Sequence, residues 1–239
     1  MAEAFFGLAF LFHTEGGVKV VCMIPIKLNN ERVPGKNIKR FFDGTPLMSL
    51  VQRAVLNTYG IDEVYVYCSN EEVVEYLERD VKFLKRPDFL DKNTSNCNDI
   101  IHEFIKYIDA DIYAVSHATA PFTTSVSIEA CIKKVKSGEY DSAFLAEKCQ
   151  EFLWRDRKPL NFDAQNFPRT QDLPLIYKEA PGAYVFSKET FLRYNRRVGE
   201  KVYIHEIDEI EGWDIDYPED FMLADLIYQG GLHKNSYNN

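Results

Sequence analysis

Two periodicities of apolar residues take turns along most of this chain. Short apolar runs rich in β-branched and aromatic residues predict buried strands at 18–26, 63–68, 82–84, 111–116 and 142–146. Between them, apolar residues recur at helical spacing and predict helices at 46–56, 71–78, 98–108 and 125–136. Leu47, Leu50, Val51, Ala54 and Val55 share one face behind Pro46; Ile101, Phe104, Ile105 and Ile108 form a second stripe. The helix at 125–136 opens on a serine and stops before Gly138. This βαβαβ alternation predicts an α/β fold: a single doubly wound, mostly parallel sheet with helices on both faces. Ligands of such sheets gather at the carboxyl ends of the strands.

The rhythm breaks at 148–179, which holds Pro159, Pro168 and Pro174 and little periodicity. This stretch reads as a small hairpin excursion, a lid or a partner contact. A strand at 183–186, a helix at 188–194, a strand at 202–206 and a closing helix at 218–228 follow. The polar tail from Gly230 to residue 239 is expected to fray. At the other end, 4–12 is apolar but too short to span a bilayer, and no basic stretch precedes it as in a secretory signal. Folding is therefore expected to begin near Val18, behind a disordered leader at 1–17, giving one domain at 18–229.

The 239 residues, 46% hydrophobic and 27% charged, suit one globular domain with a substantial core. A net charge of −9 argues against a nucleic-acid partner. Cys22, Cys68, Cys97, Cys131 and Cys149 are scattered, odd in number and without a Cys-x-x-Cys. They argue against a disulfide framework or a zinc site and point to a reducing cytoplasm.

One stretch runs against the acidic balance. Just past the first strand, Lys27, Arg32, Lys36, Lys39 and Arg40 face a single acid, Glu31. Pro34 and Gly35 keep this stretch from becoming helix or strand. A cationic, glycine-containing loop at the end of a strand suits a polyphosphate, because backbone N–H groups approach closely and the bases supply countercharge. The alternative is a solvated surface loop. Neither a P-loop nor a G-x-G-x-x-G is present.

Acidic residues supply the complementary chemistry. In Asp214-Ile215-Asp216, both carboxylates point to one side of an extended segment and suit one hard cation. Asp216-x-x-Glu219, with Pro218 between, reads equally well as a capping box, and spacing alone leaves both open. Asp109-Ala110-Asp111 shares the spacing but precedes a strand, at the wrong end of the sheet for a ligand. Arg86 follows a strand, and 93–99 leads into a helix, where free N–H groups either meet a ligand or are capped. His117 ends a strand at the expected ligand edge. Arg169 suits either a forked carboxylate contact or a surface ion pair.

Arg32-Val33-Pro34-Gly35-Lys36-Asn37 resembles the second half of the signature loop of the acylneuraminate cytidylyltransferases, the CMP-sugar synthetases. The 3-deoxy-manno-octulosonate enzymes are more distant relatives. Lys27 stands where that family usually has arginine, Asn30 where it has serine and Glu31 where it has lysine. The resemblance continues through Arg86-Pro87-x-x-Leu90 with Thr94, through 116–122 with His117 in place of a glutamine, through Arg169-x-Gln171-x-Leu173-Pro174 and Gly182-Ala183, and through Asp214-Ile215-Asp216-x-Pro218-Glu219-Asp220. It covers residues 20–228.

This resemblance implies a Rossmann-like nucleotidyltransferase, a homodimer paired through 148–179, with CTP and a 2-keto sugar acid as substrates and Mg²⁺ as cofactor. It places Lys27, Arg32 and Lys36 on the triphosphate and Asp214 and Asp216 on the metal, with Asp216 also a candidate base. It places Asn30, Asn37, Arg86, Thr94 and Asn96 around the nucleotide, and His117, Arg169 and Gln171 on the sugar side. Two other readings fit the same residues: a sugar nucleotidyltransferase using another nucleotide or sugar, and a non-catalytic nucleotide-binding protein on this fold.

Overall fold

A computed structural model describes residues 17–30, 32–92 and 94–237. The expected leader (save residue 17), Glu31, Asn93 and the last two residues of the tail lie outside the described residues. The elements run β1 (Val20–Pro25), α1 (Leu47–Leu56), β2 (Glu63–Cys68), β3 (Val81–Lys85), α2 (Cys97–Tyr107), β4 (Ile112–Val115), α3 (Ser125–Lys136) and β5 (Ser142–Cys149). After these come β6 (Trp154–Arg155), β7 (Lys158–Pro159), β8 (Ile176–Ser187), α4 (Lys188–Tyr194), β9 (Val202–Ile207) and α5 (Pro218–Gln229). The segment expected as a helix at 71–78 is a 3₁₀ helix, Glu71–Tyr76.

Seven strands form the main sheet in the order β3-β2-β1-β4-β8-β5-β9. β1 pairs in parallel with β2 and β4, β2 with β3, and β5 with β9. Strand order therefore reverses direction at β1, and the crevice between the carboxyl ends of β1 and β4 is the switch point of the sheet. β1 is a continuous apolar run because both its faces are covered. Val20, Cys22 and Ile24 face α1 and α3, packing with Met48, Val51, Ile128 and Ile132. Val21 and Met23 face the other layer, with Phe104, Tyr113, Phe186 and Phe191. A third cluster, Phe41, Leu47, Phe122, Ile215 and Phe221, seats α5 against the carboxyl edge.

The strand expected at 183–186 is present and longer than expected. β8 is twelve residues long and runs antiparallel to both β4 and β5, so it fills the slot between two parallel blocks. Its pairing jumps from Phe144↔Tyr184 to Leu145↔Ala180, leaving Pro181, Gly182 and Ala183 bulged out of register. The bulge turns two carbonyls toward the end of β4: Ser116 Oγ donates to Gly182 O at 2.5 Å and His117 N to Pro181 O at 3.4 Å.

The stretch at 148–179 is partly regular. β5 and β8 enter it as a long antiparallel pair, and its tip carries the β6–β7 ribbon, as a hairpin excursion requires. The tail does not fray at once: 232–237 forms a 3₁₀ turn, and the His233 ring stacks on Phe122 and Tyr228.

Gly182 is held by space rather than by dihedral angle. A Cβ there would lie 2.2 Å from Thr123 Oγ1 and 3.1 Å from Leu145 Cδ1. Gly182→Ala is expected to destabilise the fold by about 1–3 kcal/mol through overpacking, measured as a lower denaturation midpoint; an unchanged midpoint would refute this packing.

Candidate active site at the carboxyl edge of the sheet

The basic loop leaves β1 at the switch point. Its turn Val33–Pro34–Gly35–Lys36 closes with Lys36 N donating to Val33 O at 3.1 Å, and Gly35 takes φ +65°, a conformation that side chains disfavour. This turn drives the Lys36 side chain inward, where it is buried. Lys36 Nζ donates to Ile215 O at 2.6 Å and lies 3.8 Å from Asp216 Oδ1. Burial pushes the Lys36 ammonium below its usual range, opposed by the charges of Asp216 and Asp214. Arg32 reaches the same carboxylate from outside, Nη1 to Oδ2 at 3.1 Å, with its guanidinium 5.3 Å from the centre of the Tyr217 ring. The rest of the loop is braced through backbone: Asn37 Nδ2 donates to Lys27 O, and Lys27 Nζ to Asp91 O.

Of the bases in the loop, Lys39 and Arg40 turn away. Lys39 lies over the Phe221 ring at 4.1 Å, and Arg40 donates to Gly44 O. Asn30 Oδ1 is buried and has no hydrogen-bond partner among the described residues.

The acidic segment is fixed from two sides. Ile215 N donates to Thr119 O at 2.9 Å, and the buried Glu211 carboxylate accepts from Thr124 N at 2.9 Å. Ile215 is itself fully buried, so Asp214 and Asp216 are placed to either side of an anchored residue. Asp214 Oδ1 is buried with no partner. Burial pushes this carboxyl up, and the neighbouring Asp216 charge adds to the rise while Thr119 and Lys36 oppose it. The capping alternative for Asp216 is corrected by one residue. Tyr217 stands at the N-cap of α5, and Asp220 supplies the capping carboxylate, accepting from Asp216 N at 2.9 Å and Tyr217 N at 2.7 Å. Asp216 is thereby free of capping duty and turns its carboxylate to the bases.

The other predicted residues divide. Arg86 is 2% exposed and its Nη2 donates to Asp91 Oδ1 at 2.6 Å. Ser69 donates to the other oxygen of Asp91, whose carbonyl holds Lys27, so one acid ties the Arg86 strand end to the basic loop. Asn96 caps α2: its Oδ1 accepts from Asp99 N at 3.1 Å and the Asp99 carboxylate accepts from Asn96 N at 2.9 Å. Thr94 is exposed beside it. His117 lies past the end of β4 with its ring edge toward Tyr184. Its pKa is lowered to about 4 by burial, then by the nearby charges of Arg197 and Lys36. Arg169 and Gln171 lie on the exposed excursion, where Arg169 makes a forked pair with Asp172 at 2.7 and 3.0 Å. This is the surface ion pair of the two alternatives, apart from Lys36 and Asp216. Asp109 and Asp111 sit at the amino end of β4 as expected, serving Lys188 and the Lys19 N–H. The broad hollow of about 860 Å³ at that end, lined by Asp111, Lys188 and Arg193, carries none of the predicted residues. Glu211 and Arg197 escape sequence reading: each acts through long-range contacts and belongs to no local pattern, whereas Thr119 lies within the 116–122 match.

Known proteins resemble this chain over most of its length. The family model described as Cytidylyltransferase matches residues 21–234. The N-acylneuraminate cytidylyltransferase of Oncorhynchus mykiss is 24% identical over 86% of this chain and 49% of its own length. That of Streptococcus agalactiae serotype III is 22% identical over 86% of this chain and 52% of its own length, so the chain spans about half of these two relatives. The pseudaminic acid cytidylyltransferase of Campylobacter jejuni serotype O:2 is 24% identical over 89% of this chain and 97% of its own. Among solved structures, CMP:2-keto-3-deoxy-manno-octonic acid synthetase complexed with CTP superposes with a TM-score of 0.69 at 17% identity, over 89% of this chain and 99% of that one. That structure and this chain share the α/β fold.

His117 has a direct readout. Its folded pKa near 4 lies below the unfolded value, so the unfolded chain binds the extra proton first as pH falls. His117 therefore favours the fold above the ordinary histidine pKa, and that contribution is lost as pH falls from about 6.5 to about 4. The His117 ring resonances are expected to titrate near pH 4; a midpoint near 6.5 would contradict this setting.

Proposed function

This chain belongs to the cytidylyltransferase family, and from that premise we propose that it transfers a cytidylyl group from CTP to the anomeric hydroxyl of a 2-keto sugar acid, with release of pyrophosphate. The observation that carries this reading is the meeting of Arg32 and Lys36 with Asp216 at the switch point of the sheet. Fixed cations beside two carboxylates suit a polyphosphate bound together with a hard cation. Relatives named for N-acylneuraminate, pseudaminic acid and 3-deoxy-manno-octulosonate support a sugar acid as acceptor.

Displacement at the α-phosphorus asks the protein mainly for position and charge. Lys36 is held by a backbone carbonyl and is the fixed point of the triphosphate site. Arg32 is half-exposed; it exchanges Asp216 for a phosphate oxygen at small cost, because an exposed pair contributes little. Lys27 adds charge at the mouth of β1. Released from Arg32, Asp216 accepts the proton of the attacking hydroxyl. Asp214 and Asp216 fit a magnesium ion: both are hard oxygen donors, and Asp214 Oδ1 is buried without a partner. A magnesium ion held by these two carboxylates would take its remaining oxygen ligands from phosphate and water. Magnesium held there neutralises charge and favours ionisation of the attacking hydroxyl.

The excursion is the proposed dimer surface. Phe152, Trp154, Phe162 and Phe167 cluster there edge to face, and Trp154 and Phe167 remain more than half exposed. A second copy would cover them. Among the described residues no helix is long and apolar enough to cross a membrane. The five cysteines are free, which suits the reducing compartment of the cytoplasm.

Pyrophosphate release with CTP, Mg²⁺ and a panel of N-acetylneuraminate, legionaminate, pseudaminate and 3-deoxy-manno-octulosonate tests the reading. One acid is expected to support turnover, and Lys36→Ala or Asp216→Asn to lower kcat/KM by about 100-fold or more. Turnover that survives both substitutions would reject the site, and CTP failing to bind would reject the reading.

A further inference from the structure

A second cation, unused by the triphosphate reading, joins Lys36 in acting on His117 at the carboxyl edge of the sheet. Arg197 follows α4, yet its guanidinium lies 3.4 Å from the centre of the Tyr184 ring. Its Nη1 is 3.2 Å from Cys97 Sγ and its Nη2 is 3.1 Å from Glu179 Oε1. The Tyr184 hydroxyl donates to the same Glu179 carboxylate, and His117 sets its ring perpendicular to Tyr184 at 6.2 Å. Cys97 opens α2 beyond the end of β3, His117 follows β4, and Glu179 pairs with Ala146 toward the end of β5. The cluster therefore belongs to the carboxyl edge, on the α2 side of the sheet.

The two members of the ion pair are held very differently. Arg197 is stacked on a buried ring and its side chain is 23% exposed, whereas that of Glu179 is 47% exposed. Glu179 meets the guanidinium through one nitrogen only, while a guanidinium can present two parallel N–H groups to a carboxylate. The cation is thus held by ring and thiol, and its counterion is the more exposed member of the pair. Arg169, the sugar-side arginine expected from sequence, pairs with Asp172 at the exposed surface of the excursion.

We propose that Arg197 anchors the carboxylate of the sugar-acid acceptor, and that Glu179 is the counterion it holds until the acceptor arrives. This rests on the cytidylyltransferase reading for the acceptor's class. Binding exchanges one carboxylate for another on a guanidinium kept in place by Tyr184, so little side-chain ordering is left to do. It also frees the Tyr184 hydroxyl for the incoming ligand. Arg197 is then a specificity residue that distinguishes sugar acids from neutral sugars.

The test compares the four acids with their carboxamides by titration calorimetry, with and without CTP, magnesium omitted so that nothing turns over. Wild-type protein is expected to bind one acid at least about tenfold more tightly than its amide, as a charge-assisted forked contact allows. Arg197→Met is expected to erase that difference and leave CTP affinity unchanged. Glu179→Gln is expected to tighten acid binding severalfold without touching the stacked guanidinium. Acid preference surviving in Arg197→Met, or no acid bound by wild-type protein under either condition, overturns the proposal. Weaker acid binding in Glu179→Gln also overturns it, and stays readable if Arg197→Met folds poorly. A separate titration of CTP with magnesium and no acceptor reports on the cytidylyltransferase reading: if CTP does not bind there, that reading fails, and the acid-against-amide comparison still decides the role of Arg197.

Discussion

The bond from Lys36 Nζ to Ile215 O joins positions 179 residues apart, and the site depends on it. It closes the loop leaving β1 against the segment entering α5, over the crevice where the sheet changes direction. Burying an ammonium is costly unless its hydrogen bonds and countercharges are supplied. Here a carbonyl supplies the bond and Asp216 and Asp214 the charge. The neighbouring ties repeat the device with backbone partners: Asn37 to Lys27 O, Lys27 to Asp91 O, Ile215 N to Thr119 O. Loops that would otherwise be mobile are thereby pinned by their own polar groups, while charged ends stay near the crevice.

Arg32 and Lys36 share Asp216 but differ in how they can act. The Lys36 side chain is 10% exposed and that of Arg32 is 57% exposed. A buried, carbonyl-held ammonium keeps its position whatever binds. An exposed guanidinium can trade partners for a few tenths of a kcal/mol or so. A fixed cation and a movable one beside one carboxylate suit a substrate that arrives as a polyanion and must leave in two pieces. Glu179 and Arg197 reverse the assignment, with the acid the more exposed partner.

Local patterns of apolar residues, caps and stops make much of the sheet legible in the sequence. β2, α3 and α4 match their expected bounds to the residue, because each combines a clear period with a stop or cap that sequence displays. β8 is legible only at 183–186, since Pro181 and Gly182 interrupt its period at the bulge. Its antiparallel direction is settled by pairing with β4 and β5, about which local sequence is silent. Within the site, Lys36, Asp214 and Asp216 can be picked out because loop chemistry and i, i+2 spacing are local properties. Lys39 and Arg40 look the same in sequence as Lys36; what sorts them is the turn at Gly35, which sends one inward and leaves the others on Phe221 and Gly44. Asp220 rather than Glu219 caps α5 because the helix begins one residue later than the capping pattern suggests. Arg197 carries no motif at all: it becomes visible only when Tyr184 and Glu179 are brought to it by β8.

His117 shows why the two cations can share one edge of the sheet. It senses both Lys36 and Arg197, and burial adds to their effect in keeping the imidazole neutral down to about pH 4. A protonated ring there would put three positive groups in succession along the edge of a chain whose net charge is −9. As a neutral ring it can donate or accept a hydrogen bond without competing for either anion. On the proposed reading, Lys36 marks a phosphate end and Arg197 an acid end, with an uncharged polar group between them. That polarity favours a substrate pair in which one partner is a polyphosphate and the other carries a single carboxylate. It also orients them, because exchanging the ends would set the polyphosphate against Glu179 and take it away from Lys36 and Arg32.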